Sequence, residues 1–422
     1  VSIITELEER GFIHSITDRS ALEALLDAER VTFYCGFDPT ADSLHVGSLL
    51  PLILMRRLAQ RGHKALVLLG SATGMIGDPS GRSEERNLLT REQIELNIAG
   101  IRPQTERIVG LGCDVVSNMD WLGKYSMIDF LRDIGKNFSV NALLARDSVK
   151  TRLENREQGI SYTEFSYALL QACDFLWLYE NRGCRLQVGG SDQWGNIVSG
   201  TDLIRRKHPE GLPAFGLTIP LLLASSGTKF GKTAQGAVWL DPKRTSPYRF
   251  YQYWLNTADD DVIRLLKLFT ELSLEEVATL KDSLETAPDR REAQKRLAKE
   301  VTTLVHGAVE TERAEQASQA LFGGDIRGLA KDTLEDVFSE VPSVRLAPAE
   351  LFSGTTVTDL LVRAGAAKSK GEARRLIEGG GCYLNSEKID SANHNPTQED
   401  LLHGSLLVLR SGKKNYFLIR VS

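Results

Sequence analysis

Residues 229–233 read K-F-G-K-T inside the glycine-bearing stretch S-S-G-T-K-F-G-K-T-A-Q-G. Lys229 and Lys232, three apart and flanked by Gly227, Gly231 and Gly236, suit a mobile cationic loop that closes on a polyphosphate and stabilises charge as it develops. Residues 34–48, Y-C-G-F-D-P-T-A-D-S-L-H-V-G-S, run from an apolar strand pattern straight into a helical one. Such a junction presents backbone N–H groups and the helix dipole to an anion. His45 lies close to that helix start, where it can donate to a phosphate, while Gly36 and Gly47 let a ligand approach the backbone.

Two further strand-to-helix turns carry polar residues. G-M-I-G-D-P-S-G-R-S-E-E-R at 74–86 holds Asp78, with Arg82 and Arg86 where pyrophosphate oxygens could be met. V-G-G-S-D-Q-W-G-N at 188–196 offers Gly189 and Gly190 for close approach, and Asp192 and Gln193 for reading hydroxyl and amide hydrogen bonds. In S-Y-T-E-F-S-Y-A-L-L-Q-A-C-D-F-L-W-L, Tyr167, Gln171 and Asp174 fall at i, i+4 and i+7. They share a wedge of about 60° on an otherwise apolar helix, so a ligand or an internal network must satisfy them. Taken singly, each signal also fits a blander account: a turn histidine, a solvated lysine loop, an Asp-Pro turn, or a buried network.

These residues need a frame. V-T-F-Y-C-G (31–36), A-L-V-L-L-G (65–70), D-V-V-S-N (114–118), C-R-L-Q-V-G-G (184–190) and F-G-L-T-I-P-L-L-L (215–223) read as strands, mostly continuous apolar runs that suit parallel strands buried on both faces. Helical patterns cover 48–61, 91–110, 163–180 and 195–207, with capping-box spacing at Thr90/Gln93 and Ser161/Glu164. The alternation predicts an open α/β sheet with nucleotide-like ligands at the strand C-termini. Residues 125–160 interrupt it as a helical insertion and candidate subunit contact. From about 247 a helical region follows, residues 323–350 read as a linker from Gly-Gly and two prolines, and 354–422 resume as a small α+β unit.

Composition narrows the class. The 422 residues are 42% hydrophobic and 25% charged, an ordinary globular mixture that excludes a disordered chain. No run approaches the roughly 18 apolar residues of a membrane span, and the opening V-S-I-I-T-E-L-E-E-R carries no basic or apolar leader pattern, so no secretory signal is expected. Five cysteines without C-x-x-C spacing suit buried thiols rather than disulfides or zinc. The net charge is −5, yet residues 351–422 carry ten Lys/Arg against seven Asp/Glu. A basic tail on an acidic body is a weak pointer to a polyanionic partner.

In this order and spacing, Y-C-G-F-D-P-T-A-D-S-L-H-V-G-S, G-D-P-S-G-R-S-E-E-R, Y-x-x-x-Q-x-x-D, G-G-S-D-Q-W-G-N and K-F-G-K-T resemble the bacterial tyrosyl-tRNA synthetases, over essentially the whole chain. H-V-G-S is similar to the class I H-I-G-H motif and K-F-G-K-T to its K-M-S-K-S loop. The resemblance implies a class I Rossmann-like catalytic domain over 1–223 and an α-helical domain, with the signature loop, over 224–322. After the linker, 351–422 would be a small RNA-binding domain of ribosomal-protein type.

It further implies that Tyr34 and Asp174 read the phenol of L-tyrosine, that Asp78, Tyr167 and Gln171 hold the α-ammonium, and that Gln193 lies near the carboxylate. ATP, entering with Mg2+ and no protein-bound metal, would meet Cys35, Gly36, Asp38, Thr40, His45, Gly47, Gly190, Asp192 and Lys232, with Arg82, Arg86, Lys229 and Lys232 around the departing pyrophosphate. Lys368, Lys370, Arg374, Arg375, Lys413 and Lys414 would contact tRNA(Tyr), and the insertion would join a cytoplasmic homodimer. Two positions depart from the family pattern: Ser48 replaces the usual second histidine, and Arg82 a lysine. Rival readings are a tryptophan-specific relative, a catalytically silent RNA-binding homologue, and another nucleotidylyl transferase. The Tyr34–Asp174 pair and the basic tail favour the tyrosine reading.

Overall fold

The computed structural model describes the chain except residues 81–88, 111, 147–148, 151–152, 154–159, 226, 228–229, 234–235, 321–324, 340 and 413–414, and leaves the side chains of 232 and 233 undescribed. It divides into two compact units, 1–244 with 257–297, and 245–256 with 298–422.

The first unit is built on a six-stranded sheet: β1 (Ser15–Ile16), β2 (Thr32–Phe37), β3 (Lys64–Leu69), β4 (Asp114–Ser117), β5 (Cys184–Gly190) and β6 (Phe215–Ile219). Their spatial order is β1-β6-β5-β2-β3-β4, all parallel except the short β1, which pairs antiparallel with β6. The expected strands are therefore present. They are parallel because helices cover both faces: Phe33, Leu66, Val67, Leu186 and Leu217 are all fully buried. β6 stops at Ile219, short of the expected 223, because Pro220 has no N–H for the ladder. Chain order reverses between β2 and β5, and ligands of open α/β sheets gather at such a switch point.

The helices that follow the strands carry clear boundary signals. The Tyr162–Arg182 helix starts at Ser161, whose hydroxyl accepts from the Glu164 N–H, and ends at Gly183 in the left-handed region. Thr90 caps Arg91–Val109 in the same way. The Val46–Gln60 helix begins two residues before the expected start because His45 is its N-cap: Nδ1 accepts from the Gly47 N–H at 3.0 Å. Histidine is an unusual N-cap, which is why the pattern placed the start later.

The second unit holds a five-stranded sheet in the order Glu387–Lys388, Cys382–Leu384, Leu406–Ser411, Asn415–Val421, Ser343–Leu346. One face packs Leu407, Leu409 and Ile419 against the Val357–Arg363 and Lys370–Glu378 helices. The other packs Val408 and Leu418 against Ala317, Leu334 and Phe338. The expected linker is thus corrected where it is described: residues 323–350 contain the Lys331–Val337 helix and the Ser343–Leu346 strand. Its prolines punctuate regular elements, since Pro342 precedes the strand and Pro348 occupies the first turn of Pro348–Phe352. The helical region also differs from its expected bounds, with 257–297 grouped with the sheet of the first unit and 298–320 with the second.

Candidate active site

A cavity of about 820 Å³ opens at the C-terminal ends of β2 and β5. Tyr34, Cys35, Gly36, Asp38, Thr40, His45, Gly47, Ser48, Asp78, Tyr167, Gln171, Asp174, Gly190, Asp192 and Gln193 all line it. The sheet supplies Tyr34 to Gly36 from β2 and Gly190 from β5, and the Tyr162–Arg182 helix supplies Tyr167, Gln171 and Asp174 from one face. Arg82, Arg86, Lys229, Lys413 and Lys414 lie outside the described residues, and Lys232 is placed by its backbone alone.

Asp174 and Tyr34 are each 1% exposed. Asp174 Oδ1 accepts from Trp121 Nε1 at 2.7 Å and Oδ2 from Asn118 Nδ2 at 3.0 Å. Burial pushes its carboxyl up to about 8, against the opposing effect of these two donors, and repulsion from Asp38 adds to the rise. The Tyr34 phenol is raised well above its ordinary range by burial and by the nearby Asp174. Its hydroxyl has no hydrogen-bond partner among the described residues. A fully buried, unpaired hydroxyl is costly, and here it stands beside a carboxylate in a cavity.

Much of the rest of the polar lining is hydrogen-bonded side chain to side chain. Tyr167 Oη donates to Asp38 Oδ2 at 2.8 Å, and Thr73 Oγ1 donates to Asp38 Oδ1 at 2.8 Å. Gln193 Nε2 donates to Asp78 Oδ2 at 2.6 Å and to Asp192 Oδ2 at 3.0 Å. Asn196 Nδ2 donates to Gln171 Oε1 at 3.2 Å and to Ser80 Oγ at 3.2 Å. Asp38 thus stands with Tyr167, among residues expected around the amino acid. Four carboxylates (Asp38, Asp78, Asp174 and Asp192) line the cavity, and among its described lining residues there is no lysine or arginine. The charge of Asp38, Asp78 and Asp192 suits an ammonium group. Burial raises the Cys35 thiol to about 12, so it stays protonated and able to donate.

The two signature segments meet through backbone. Val46 N donates to Val238 O at 2.9 Å, Val238 N donates to Gly231 O at 3.0 Å, and His45 bridges Trp239 in antiparallel fashion. Gly231 has φ +82°, and a Cβ there would stand 3.3 Å from the Gly47 nitrogen. A Cβ on Gly47 would come within 2.7 Å of the His45 ring. Gly47→Ala is therefore expected to displace His45 and lower the rate of the reaction built here by about 10- to 100-fold; steady-state kinetics of the purified variant checks this.

Asn118, Trp121, Thr73, Ser80 and Asn196 were not singled out as site residues in the sequence, although Ser80 and Asn196 lie inside the G-D-P-S-G-R and G-G-S-D-Q-W-G-N motifs. For Asn118 and Trp121 a signal was N-M-D-W following the strand at 114–117, where polar groups at a strand C-terminus face the ligand crevice.

The family model described as tRNA synthetases class I (W and Y) matches residues 26–323. The chain belongs to the class I tyrosyl- and tryptophanyl-tRNA synthetases. A second model, a tyrosine–tRNA ligase C-terminal domain, matches residues 333–419. The chain is 51% identical over 427 residues to the tyrosine–tRNA ligase of Opitutus terrae, and 49% identical over 425 residues to that of Geobacillus stearothermophilus, each covering 100% of both chains. The crystal structure of a C-terminally truncated Aspergillus nidulans mitochondrial tyrosyl-tRNA synthetase superposes with a TM-score of 0.69 at 34% identity, over 76% of this chain and 94% of that one. A Plasmodium falciparum tryptophanyl-tRNA synthetase, at 15% identity and a TM-score of 0.54, shares the fold. The open α/β sheet expected from the strand pattern is present, and the class I fold that the resemblance implied is the fold of these neighbours.

The acidic-to-basic asymmetry of the chain is also given a place. Arg374 and Arg375 are exposed on the Lys370–Glu378 helix, Lys368 is exposed just before it, and Lys370 pairs with Asp359 at 2.7 Å. Among the described residues no helix is long and apolar enough to cross a membrane, and no group of three His, Cys, Asp or Glu is arranged to hold a metal.

Proposed function

We propose that this synthetase is a tyrosine–tRNA ligase: it joins L-tyrosine to ATP as tyrosyl-adenylate, releasing pyrophosphate, and then transfers tyrosine to the 3′-terminal ribose of tRNA(Tyr). The observation that carries the tyrosine reading is the unpaired Tyr34 hydroxyl beside Asp174. A phenol donates a hydrogen bond to Asp174 and accepts one from Tyr34, which gives the stranded hydroxyl its partner. An indole N–H donates only and offers no acceptor to the Tyr34 O–H, so the site disfavours tryptophan.

The substrate supplies its own nucleophile. A tyrosine carboxylate oxygen attacks the α-phosphorus in line, the bond to the bridging oxygen breaks, and the electron pair leaves with pyrophosphate. A ribose hydroxyl of the tRNA then attacks the adenylate carbonyl, losing its proton as AMP departs. Asp78, Tyr167 and Gln171 orient the amino group, Gln193 the carboxylate, and Cys35, Gly190 and Asp192 the ribose. Thr40, His45 and Ser48 meet the triphosphate, with Arg82, Arg86, Lys229 and Lys232 around the leaving group; Mg2+ enters with ATP as part of that substrate. Catalysis on this reading is positioning and charge stabilisation.

The functional unit is a homodimer. Met127, Ile128 and Val140, on the Met127–Asp133 and Val140–Leu144 helices of the insertion, are 71%, 72% and 59% exposed, an apolar surface suited to a second copy. Ile128→Glu is expected to convert a dimer into monomer in light-scattering chromatography. The basic helix of the second unit, with Lys368, Lys370, Arg374, Arg375, Lys413 and Lys414, contacts tRNA phosphates, giving an affinity that falls with salt.

Tyrosine-dependent ATP–pyrophosphate exchange, run beside phenylalanine and tryptophan, tests the central reading. Exchange with tyrosine alone is the expected result; exchange with tryptophan, or none in protein that still binds tRNA, refutes it.

A further inference from the structure

The helix Asp259–Phe269 touches the segment leading into K-F-G-K-T at its N-terminal end, and both Phe230 and the H-V-G-S helix at its C-terminal end. Asp261, 7% exposed in its first turn, accepts the Ser225 N–H on Oδ2 at 2.9 Å and Arg264 Nη2 on Oδ1 at 2.8 Å. Arg264 Nη2 also donates to the Leu223 carbonyl at 2.7 Å. Farther along, Phe269 stacks on Phe230 with ring centroids 5.6 Å apart and planes at 29°. At the C-terminal end Arg57, on the Val46–Gln60 helix, donates to the Thr270 carbonyl, and Arg10 donates to the Leu272 carbonyl at 2.8 Å. Glu6 neutralises both arginines, at 3.2 Å from Arg10 and 3.1 Å from Arg57. The same Val46–Gln60 helix carries Gly47, against which Gly231 packs.

The start of the signature loop is therefore pinned to one helix, and that helix is clamped to the helix whose N-terminus carries the other signature. We propose that Asp261 and Arg264 are positioning residues that set the K-F-G-K-T loop for pyrophosphate departure, acting through Leu223 and Ser225 without touching substrate. The pair is suited to this because each member holds a different kind of backbone group: the carboxylate takes an N–H, the guanidinium gives to a C=O, and their mutual ion pair fixes both. Neither lines the cavity. The inference rests on the adenylate chemistry proposed above.

Asp261→Ala, Asp261→Asn, Arg264→Ala and the Asp261→Ala/Arg264→Ala double variant of the full chain test it by two readouts. In ATP–pyrophosphate exchange, Asp261→Ala is expected to lower kcat about 10-fold while tyrosine KM moves by less than about twofold. Asp261→Asn, which keeps an acceptor for Ser225, restores most of the rate, and the double variant falls little further than either single, as expected of a unit. In amide exchange followed by mass spectrometry, Asp261→Ala speeds exchange across 222–233 and leaves Lys64–Leu69 protected. Unchanged exchange across 222–233 overturns the proposal, as does a kcat that falls only together with protection of Lys64–Leu69. A wild-type protein with no pyrophosphate exchange overturns the proposed function and the catalytic half of this inference; a loop that still answers to Asp261 then supports the anchoring half.

Discussion

Asp174→Asn is expected to lower kcat/KM for tyrosine by about 100-fold or more in ATP–pyrophosphate exchange. Each oxygen of Asp174 already accepts a buried N–H, one from Trp121 and one from Asn118. An asparagine offers one acceptor and sets an NH2 group against one of those donors, an arrangement costing about 1–3 kcal/mol, and it also gives up the charged acceptor for the substrate phenol. Phenylalanine gains nothing from Asp174, so its kcat/KM changes much less, and discrimination between the two amino acids falls with the tyrosine rate. Tyrosyl-tRNA synthetases are themselves the standard example of this discrimination, at about 10⁵-fold against phenylalanine; that figure is the family benchmark and not a consequence of the distances above. An equal loss for both amino acids would show that Asp174 supports the pocket without reading the phenol.

The same substitution also changes how the stability of the empty protein depends on pH. The Asp174 carboxyl is raised to about 8 when folded, against about 3.9 in an unfolded chain. The unfolded state therefore releases this proton first, and the group withdraws stability as pH climbs from about 4 to about 8. Asparagine carries no such penalty. The Tm of Asp174→Asn relative to the wild type is expected to rise between pH 5 and pH 9 in the absence of tyrosine, as thermal denaturation would report.

Lys232→Ala is expected to cost about 10²- to 10³-fold in kcat of the exchange reaction, with a much smaller change in tyrosine KM. The argument is electrostatic. Asp38, Asp78 and Asp192 line the cavity, and negative charge developing on pyrophosphate near these carboxylates is stabilised by a positioned lysine. Lys232 sits in the short antiparallel pair Lys232–Thr233 with Gly236–Ala237, next to Gly231, which packs on Gly47. A variant that raises only the tyrosine KM would place Lys232 in ground-state binding and remove it from the chemical step.

Much of this arrangement was readable in advance. The nearly continuous apolar runs, most of them ending at Gly or a polar turn, named the parallel strands, because burial on both faces leaves no alternation to confuse them. Tyr167, Gln171 and Asp174 could be placed on one helix face from spacing alone. What escaped was non-local. Asn118 and Trp121 reach Asp174 across more than fifty residues of sequence, and no local pattern distinguishes a tryptophan that donates to a carboxylate from one that only packs. The segment 323–350 was misjudged because Pro342 and Pro348 bound regular elements as well as they interrupt them. His45 was read as a ligand-facing residue, and its second task as an N-cap depends on which ring nitrogen points at Gly47.

The paired donors on Asp174 also bear on how the substrate range of such an enzyme could drift or be redesigned. Accommodating a tyrosine whose oxygen carries a methyl or larger group requires removing the acceptor, yet a small apolar residue at 174 takes away the acceptor of the buried Trp121 N–H and one acceptor of Asn118. Productive variants should therefore change positions 118, 121 and 174 together, and libraries that randomise 174 alone should return mainly inactive or unstable proteins. Because 118 and 121 follow β4 while 174 sits on the Tyr162–Arg182 helix, such changes must be coordinated across two segments far apart in the chain. That requirement makes the phenol preference resistant to single-step evolutionary change.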